Sequence, residues 1–309
     1  MPFFTTGMSI LVDKNTRVVV QGITGKEGSR AAREMRAYGT HVLAGVTPGK
    51  GGGVTPEGIP IFNSVAEALK KFSEINTALI AVPGKFVGAA GEESIAVGIP
   101  LINILSERVP VLHVARLLAL GRKRGVRIVG PSSVGILSPG KAKIGSIGSA
   151  GLAQKIFTPG NVGVISKSGG MTAEISRMLT ESGFGQSTVI GIGGDPLIGS
   201  DFRDIAVLFE HDGDTKAIVV FGEVGGTYEE QLASAIKSGE ITKPVIALIA
   251  GVFAESLPWG TALGHAGAII EGDEGKASTK IAKLKAAGAH IATTPEDIVG
   301  ILNQLVGST

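Results

Sequence analysis

Residues 264–270 read GHAGAII and set a histidine, His265, among residues with almost no side chain. An imidazole is a nucleophile near neutral pH without a separate activator, because its unperturbed pKa is about 6.5. Small neighbours would let a substrate or a partner surface approach the ring. A buried, hydrogen-bonded histidine is the alternative. The other histidines, His41, His113, His211 and His290, lack such glycine-rich surroundings and are assigned to structure. The segment FGEVGG puts Glu223 at the C-terminal end of an apolar run. A carboxylate there faces the ligand edge of a parallel sheet and could orient a base or nucleophile. A loop salt bridge is the alternative. In SKSGGMTAE, Ser166, Ser168, Gly169 and Gly170 lie between a strand and a helix. Backbone N–H groups at such a junction cradle anions; the plainer alternative is a serine N-cap.

Two further glycine loops follow early strands. QGITGKEG has, from Gly22 to Gly28, the spacing G-x-x-G-x-x-G rather than the dinucleotide pattern G-x-G-x-x-G. The next strand, HVLAGV, has no acid at its end to grip a ribose. This loop therefore favours a phosphate-bearing ligand other than NAD over an oxidoreductase cofactor, with a purely structural turn as the alternative. The loop TPGKGGG adds Lys50 to a glycine run at a strand's C-terminal end, either a ligand contact or a mobile surface loop.

The elements that must carry these residues alternate along the chain. TRVVVQGI, HVLAGV, TALIAVP, LINILS and VRIVGP read as strands, with helical patterns between them. Continuous apolar strands separated by helices predict a parallel sheet covered on both faces. The stretch SSVGILSPGKAKIGSIGSAGLAQKIFTPG is rich in Gly, Ser and Pro and reads as a connection between domains. Alternation then restarts with NVGVIS and runs to the end, predicting a second doubly wound sheet.

Composition limits the remaining classes. A chain of 309 residues with 43% hydrophobic and 18% charged residues suits two globular domains. Its 47 glycines fall in short clusters after apolar runs, as tight strand-to-helix turns require. A net charge of +2 without a dense basic cluster predicts no nucleic-acid partner. The absence of cysteine rules out disulfides, thiolate metal sites and a cysteine nucleophile. No secretory signal is read at the N-terminus and no apolar stretch would span a membrane, so a soluble cytoplasmic protein is expected.

Taken in order, VVVQGITGKEG, GVTPGKGG, AVPGKF, SERVP, GPSSVGILSPGKAKIG, PGNVGVISKSGGMTAE, IGIGGDPLIGSDF, GEVGG, TKPVIALIAG and GHAGAII form a set. That set resembles the α subunit of succinyl-CoA synthetase and its relatives among nucleotide-driven acid–CoA ligases. The resemblance covers nearly the whole chain. It implies an α/β fold with an N-terminal Rossmann-like CoA-binding domain over residues 1–150. A flavodoxin-like doubly wound ligase domain would follow over residues 151–309. Thr24, Gly25, Lys26, Glu27, Lys50, Pro83 and Glu107 match the family's residues for coenzyme A. His265 matches the histidine that carries a transient phosphoryl group, Glu223 the acid that hydrogen-bonds it, and Ser166 to Gly170 the phosphate cradle. ATP or GTP with Mg2+ is implied, bound mainly by a partner β subunit of ATP-grasp fold in an αβ or α2β2 assembly. No metal ligand is assigned to this chain.

Three departures bear on the carboxylic acid substrate. Where succinyl-CoA synthetases carry Asn-Cys-Pro after GP, this chain has Ser132, Ser133 and Val134. It reads SGGMTAE in place of SGTLTYE. Its loop before the histidine, AESLPWGTALGHAGA, holds the single Trp259 in place of a lysine-rich sequence. The first two, with the longer linker, resemble the ligase portion of ATP-citrate lyase, although this chain has no lyase domain. The combination resembles the small subunit of citryl-CoA synthetase and points to citrate, with succinate and then malate as alternatives. A CoA-binding subunit without catalysis is the competing class; keeping His265, Glu223 and the cradle together disfavours it.

Overall fold

Val18, Val19 and Val20 are all fully buried. The strand that carries them therefore needs cover on both faces, which helices on either side of a parallel sheet supply. The structure, a computed structural model, describes residues 9–148, 151–257, 261, 263–270 and 275–307. Among these residues the strands form two sheets. The first contains β1 (Arg17–Gln21), β2 (His41–Val46), β3 (Ile61–Phe62), β4 (Thr77–Ile80), β5 (Leu101–Ile104) and β6 (Arg127–Val129). Its spatial order is β3-β2-β1-β4-β5-β6 and every pairing is parallel. That is the doubly wound Rossmann order, whose direction reverses between β1 and β4.

The second sheet contains β7 (Gly135–Ser138), β8 (Ala142–Gly145), β9 (Pro159–Ser166), β10 (Gln186–Gly191), β11 (Ala217–Glu223), β12 (Val245–Ala250) and β13 (His290–Ala292). It is ordered β13-β12-β11-β9-β10-β7-β8. Counted from β9, the parallel strands run 2-1-3-4-5, the flavodoxin-like order. Its direction reverses at β9, between β10 and β11. Ligands in such sheets bind beyond the strand C-termini at these reversals.

The connection read from the sequence is more ordered than expected. β7 and β8 form an antiparallel hairpin that extends the second sheet beside β10, and Ala153–Ile156 is a short helix. Sheet membership thus changes between Val129 and Gly135, ahead of residue 150. Four-residue strands spaced by Gly and Pro show too little periodicity to be read alone. Their pairing with β10 is long-range and comes from burial. His211 is the last residue of the helix Phe202–His211.

The hairpin also joins the two halves. Met35 and Ala31, from the helix Lys26–Tyr38, belong to one buried cluster with Ile144, Ile136 and Ile190. Lys143 is 1% exposed and pairs with Glu34 on that helix at 3.2 Å. Its ammonium also donates to the Gly148 carbonyl at 2.7 Å. Thr40 closes the clamp, its hydroxyl donating to the Lys143 carbonyl and accepting from the Lys143 amide, each at 2.9 Å. Removing one partner of a buried pair leaves an uncompensated charge. Glu34→Ala should therefore lower unfolding free energy by about 3 kcal/mol in a urea titration. Replacing Glu34 and Lys143 together by Leu and Met should cost less than that single change.

Candidate active site

His265 sits in a loop between β12 and the helix Ala277–Ala286. Its ring lies against Gly194, in the turn that follows β10. A Cβ on Gly194 would stand 2.5 Å from the imidazole Cγ, so only glycine lets the ring lie there. The Gly267 amide donates to the Gly194 carbonyl at 2.9 Å and pins the loop to that turn. Gly225, with φ of +86°, supports the other side: a Cβ there would meet the Gly267 carbonyl oxygen at 2.1 Å. The glycines of GEVGG, GIGGDP and GHAGA are therefore three faces of one tight contact.

Glu223, the last residue of β11, receives the imidazole. Nδ1 of His265 lies 2.8 Å from both carboxylate oxygens. A proton on Nδ1 donates to the carboxylate, and the lone pair of a neutral ring is then on Nε2. The His265 side chain is 35% exposed and Glu223 only 14%, so the base is held from below and reached from outside. The hydrogen bond to Glu223 raises the His265 pKa above that of an ordinary imidazole. Burial opposes this, the charges of Glu223 and Glu107 add to it, and Lys167 counters it.

The cradle lies at the reversal in the second sheet. Ser168 caps the helix Gly169–Glu181, its hydroxyl accepting from the Met171 amide at 3.3 Å. Ser166 is fully buried; its hydroxyl donates to the Ser168 carbonyl at 2.8 Å and accepts from the Ser168 amide at 3.1 Å. Both hydroxyls thus shape the turn, and the Ser168 N-cap is realised. Gly169 and Gly170 open the helix, where the amides and the helix dipole favour an anion. Lys167, between the two serines, is near enough for its charge to act on His265.

At the reversal in the first sheet is a cleft of about 530 Å³. Gly25, Lys26, Glu27 and Arg30 line one side, and Ala81 to Gly84 with Leu105 to Glu107 another. Ser132, Ser133, Val134 and Ser146 complete it. Lys26, Arg30 and the helix start after Gly25 suit phosphates, while Val82, Pro83 and Leu105 offer an apolar wall; the residues fit coenzyme A. Glu107 lines this cleft, and its charge also acts on His265. Thr24 and Lys50 do not line it but lie beside it, Lys50 Nζ donating to the Thr24 hydroxyl at 3.3 Å. Among the described residues no group of three or more His, Asp or Glu side chains converges as a cation site would need, and no step is derived through a metal held by this chain.

The three residues singled out for substrate have different surroundings. Ser133 is fully buried, its hydroxyl donating to the Gly191 carbonyl at 2.5 Å and standing 3.1 Å from Asn103 Oδ1. Val134 packs over Gly169 and Gly191 at the foot of the cradle. Ser132 is held in the left-handed region at φ of 62°, as is Arg108 at 52°. Such non-glycine residues are uncommon and tend to mark functional sites. Asp195 meets both: its carboxyl is pushed up by burial, against hydrogen bonds from the Ser132 hydroxyl and the Arg108 and Val109 amides. Sequence reasoning missed Asp195, Gly194 and Arg30, although GIGGDP and a basic helix face were visible signals. The loop through Trp259 includes residues 258–260 and 262, which lie outside the described residues.

Residues 13–108 match the CoA binding domain family and residues 165–290 the CoA-ligase family. The chain is 44% identical over 299 residues to subunit alpha 2 of an ADP-forming succinate–CoA ligase from Archaeoglobus fulgidus, covering 97% of this chain and all of that one. It is 45% identical over 293 residues to the corresponding alpha subunit from Aquifex aeolicus, covering 94% of this chain and 92% of the other. ATP citrate lyase from Methanothrix soehngenii, solved in complex with citrate and coenzyme A, superposes with a TM-score of 0.88 at 26% identity. That match covers 96% of this chain, which spans half of the lyase chain. With the doubly wound order of both sheets and the histidine–glutamate pair at their junction, these matches identify the chain as a member of the succinate–CoA ligase α-subunit family of acid–thiol ligases.

Proposed function

We propose that this chain, with a β subunit, joins a small carboxylic acid to coenzyme A at the expense of ATP or GTP, with His265 as phosphoryl carrier. The observation that carries this is the hold of Glu223 on Nδ1 at 2.8 Å, which directs the opposite nitrogen outward. Nε2 forms the P–N bond as the nucleoside diphosphate leaves. Glu223 keeps the Nδ1 proton in place and offsets the positive charge that the ring acquires. The Gly169–Glu181 helix start stabilises the phosphoryl oxygens. The phosphoryl group then passes to a carboxylate oxygen of the acid and frees His265. Attack of the CoA thiolate on the acyl carbon expels phosphate. The CoA cleft supports the last step, since Glu107 belongs to both its wall and the surroundings of His265. The partner of ATP-grasp fold supplies the nucleotide and its Mg2+ in an αβ or α2β2 assembly.

For the acid, citrate is favoured by Ser132, Ser133 and Val134 together with SGGM, and supported by the likeness to a citrate lyase. Succinate is favoured by the names of the relatives at 44% and 45% identity. Assays of the chain with its β subunit on succinate, citrate and malate should separate them by kcat/KM.

Labelled nucleotide should give a phosphoprotein that is acid-labile and alkali-stable, and none in His265→Asn. A full label in that variant would overturn the mechanism. CoA binding without any label in the wild-type complex would leave only a non-catalytic binding subunit. Gly194→Ala should fold normally by circular dichroism yet label about 100-fold more slowly, since misplacing a nucleophile by an ångström has that scale of cost. Labelling of the wild type should rise with pH through the elevated His265 pKa, because only the neutral ring attacks. Glu223→Gln should move that midpoint down and slow labelling on the order of 100-fold. Stability follows the same linkage. A raised folded pKa means the pair stabilises fully below the unfolded value of about 6.5 and ceases to do so as pH rises through the folded one. The stability gap between wild type and Glu223→Gln, measured by thermal unfolding, should therefore be widest in acid and close towards alkaline pH.

A further inference from the structure

Beneath the histidine loop lies a charged cluster that the mechanism above does not use. Glu229 is fully buried, as is Lys280, and Lys167 is 7% exposed. Lys167 Nζ is 2.8 Å from one Glu229 oxygen, and Lys280 Nζ binds the other. Both ammoniums also donate to one carbonyl, that of Gly225, at 3.5 Å from Lys167 and 2.7 Å from Lys280. The Glu223 amide donates to Glu229 Oε1 at 3.2 Å. Glu230 approaches from the Lys280 side, at 3.9 Å from both Lys280 and Lys283, while Lys167 pairs with Glu229. Lys167 is further enclosed by the rings of Phe202 and Tyr228, at 5.8 and 5.7 Å from their centroids.

Stability alone does not explain such a cluster, because well-packed apolar residues of similar volume often hold a core as well or better. Its hydrogen bonds point elsewhere. They end on the amide of the residue that grips His265 and on the carbonyl of the glycine that supports the His265 loop. The groups facing the imidazole are Glu223 from β11, Glu107 from the turn after β5 and Lys167 from the turn after β9. Asp195 is next to the ring's glycine seat, but its carboxyl is turned to Ser132 and the amides of Arg108 and Val109. Lys167 is thus the cation among them, its charge acting on the ring against those of Glu223 and Glu107.

We propose that Lys167 is a positioning residue of the His265 centre, a buried cation anchored with Lys280 on Glu229 that braces Glu223 and Gly225 and sets a positive charge against the two carboxylates acting on the imidazole. This rests on His265 being the phosphoryl acceptor. Lys280 shares the scaffold, with its charge directed to Glu229, Glu230 and the Gly225 carbonyl. The two lysines therefore differ in what their loss should do.

The test is a long-range 1H–15N NMR titration of His265 in the full chain, with labelling rates measured on the complex with the β subunit. In Lys167→Met and Lys167→Gln the His265 midpoint should move to higher pH, while Lys167→Arg and Lys280→Met should titrate with the wild type. Labelling of Lys167→Gln at pH 7 should fall on the order of tenfold and recover as pH is raised past the new midpoint. Lys167→Gln retains a donor for Glu229 and carries the test if Lys167→Met does not fold. A folded Lys167→Gln chain that titrates as wild type overturns the proposal. So does an equal shift in Lys280→Met, or collapse of both neutral variants, which would assign Lys167 to folding alone. A wild-type complex that takes no label refutes the phosphoryl-carrier role instead, and the titration is read independently of that result.

Discussion

An imidazole that carries a group between two reactants must be held by one nitrogen and bare at the other. The hydrogen bond between His265 Nδ1 and Glu223 meets this demand, and much of the second sheet serves to place it. Glu223 ends β11, a central strand next to the reversal at β9; its ladder to β12 reaches Ala250 opposite Glu223, and its ladder to β9 holds the strand as far as Phe221. Around His265, the described residues 263–270 form no helix or strand and take their position from what they touch. Gly194 and Gly225 admit it closely, and amide–carbonyl contacts fasten it. Precision at the ring is borrowed from rigid strands beneath.

The electrostatics follow the same division. A carboxylate that orients an imidazole also tends to hold its proton, which would disarm the nucleophile. Glu107 from the first sheet adds to that pull, and Lys167 opposes it. In Glu229, burial favours the neutral carboxyl, yet Lys167 and Lys280 together hold its pKa below the usual value. Burial in turn pulls the Lys280 ammonium down against Glu229. Each group of the cluster is charged because its neighbours are, so the field at the histidine comes from the cluster as a whole.

Much of this was legible in the sequence, and for local reasons. His265, Glu223 and the serine–glycine turn are visible because glycines at strand ends mark close approach whatever the tertiary context. The parallel, helix-covered character of both sheets follows from apolar runs that alternate with helices. Other features leave no local trace. Lys280 and Glu229 are 51 residues apart and Lys167 and Gly225 58, so nothing near any of them announces a partner. Lys167 stood inside a motif chosen for its serines, and a lysine beside an anion turn reads as solvent-exposed until its burial is known. Ser132, Ser133 and Val134 looked equivalent as a departure in sequence. The fold separates them into one strained residue at the cleft, one buried hydrogen-bonding hydroxyl and one packing contact.

The hairpin of β7 and β8 has a consequence for how such chains can be assembled. The stretch between the two halves is no tether: it supplies the last two strands of the downstream sheet. Without them, β10 would present a bare row of amides and carbonyls, an edge open to pairing with any stray strand. The helix that opens the CoA cleft would lose the wall formed by Ile144 and Lys143. A boundary that leaves the downstream sheet whole therefore falls before the hairpin, between Val129 and Gly135.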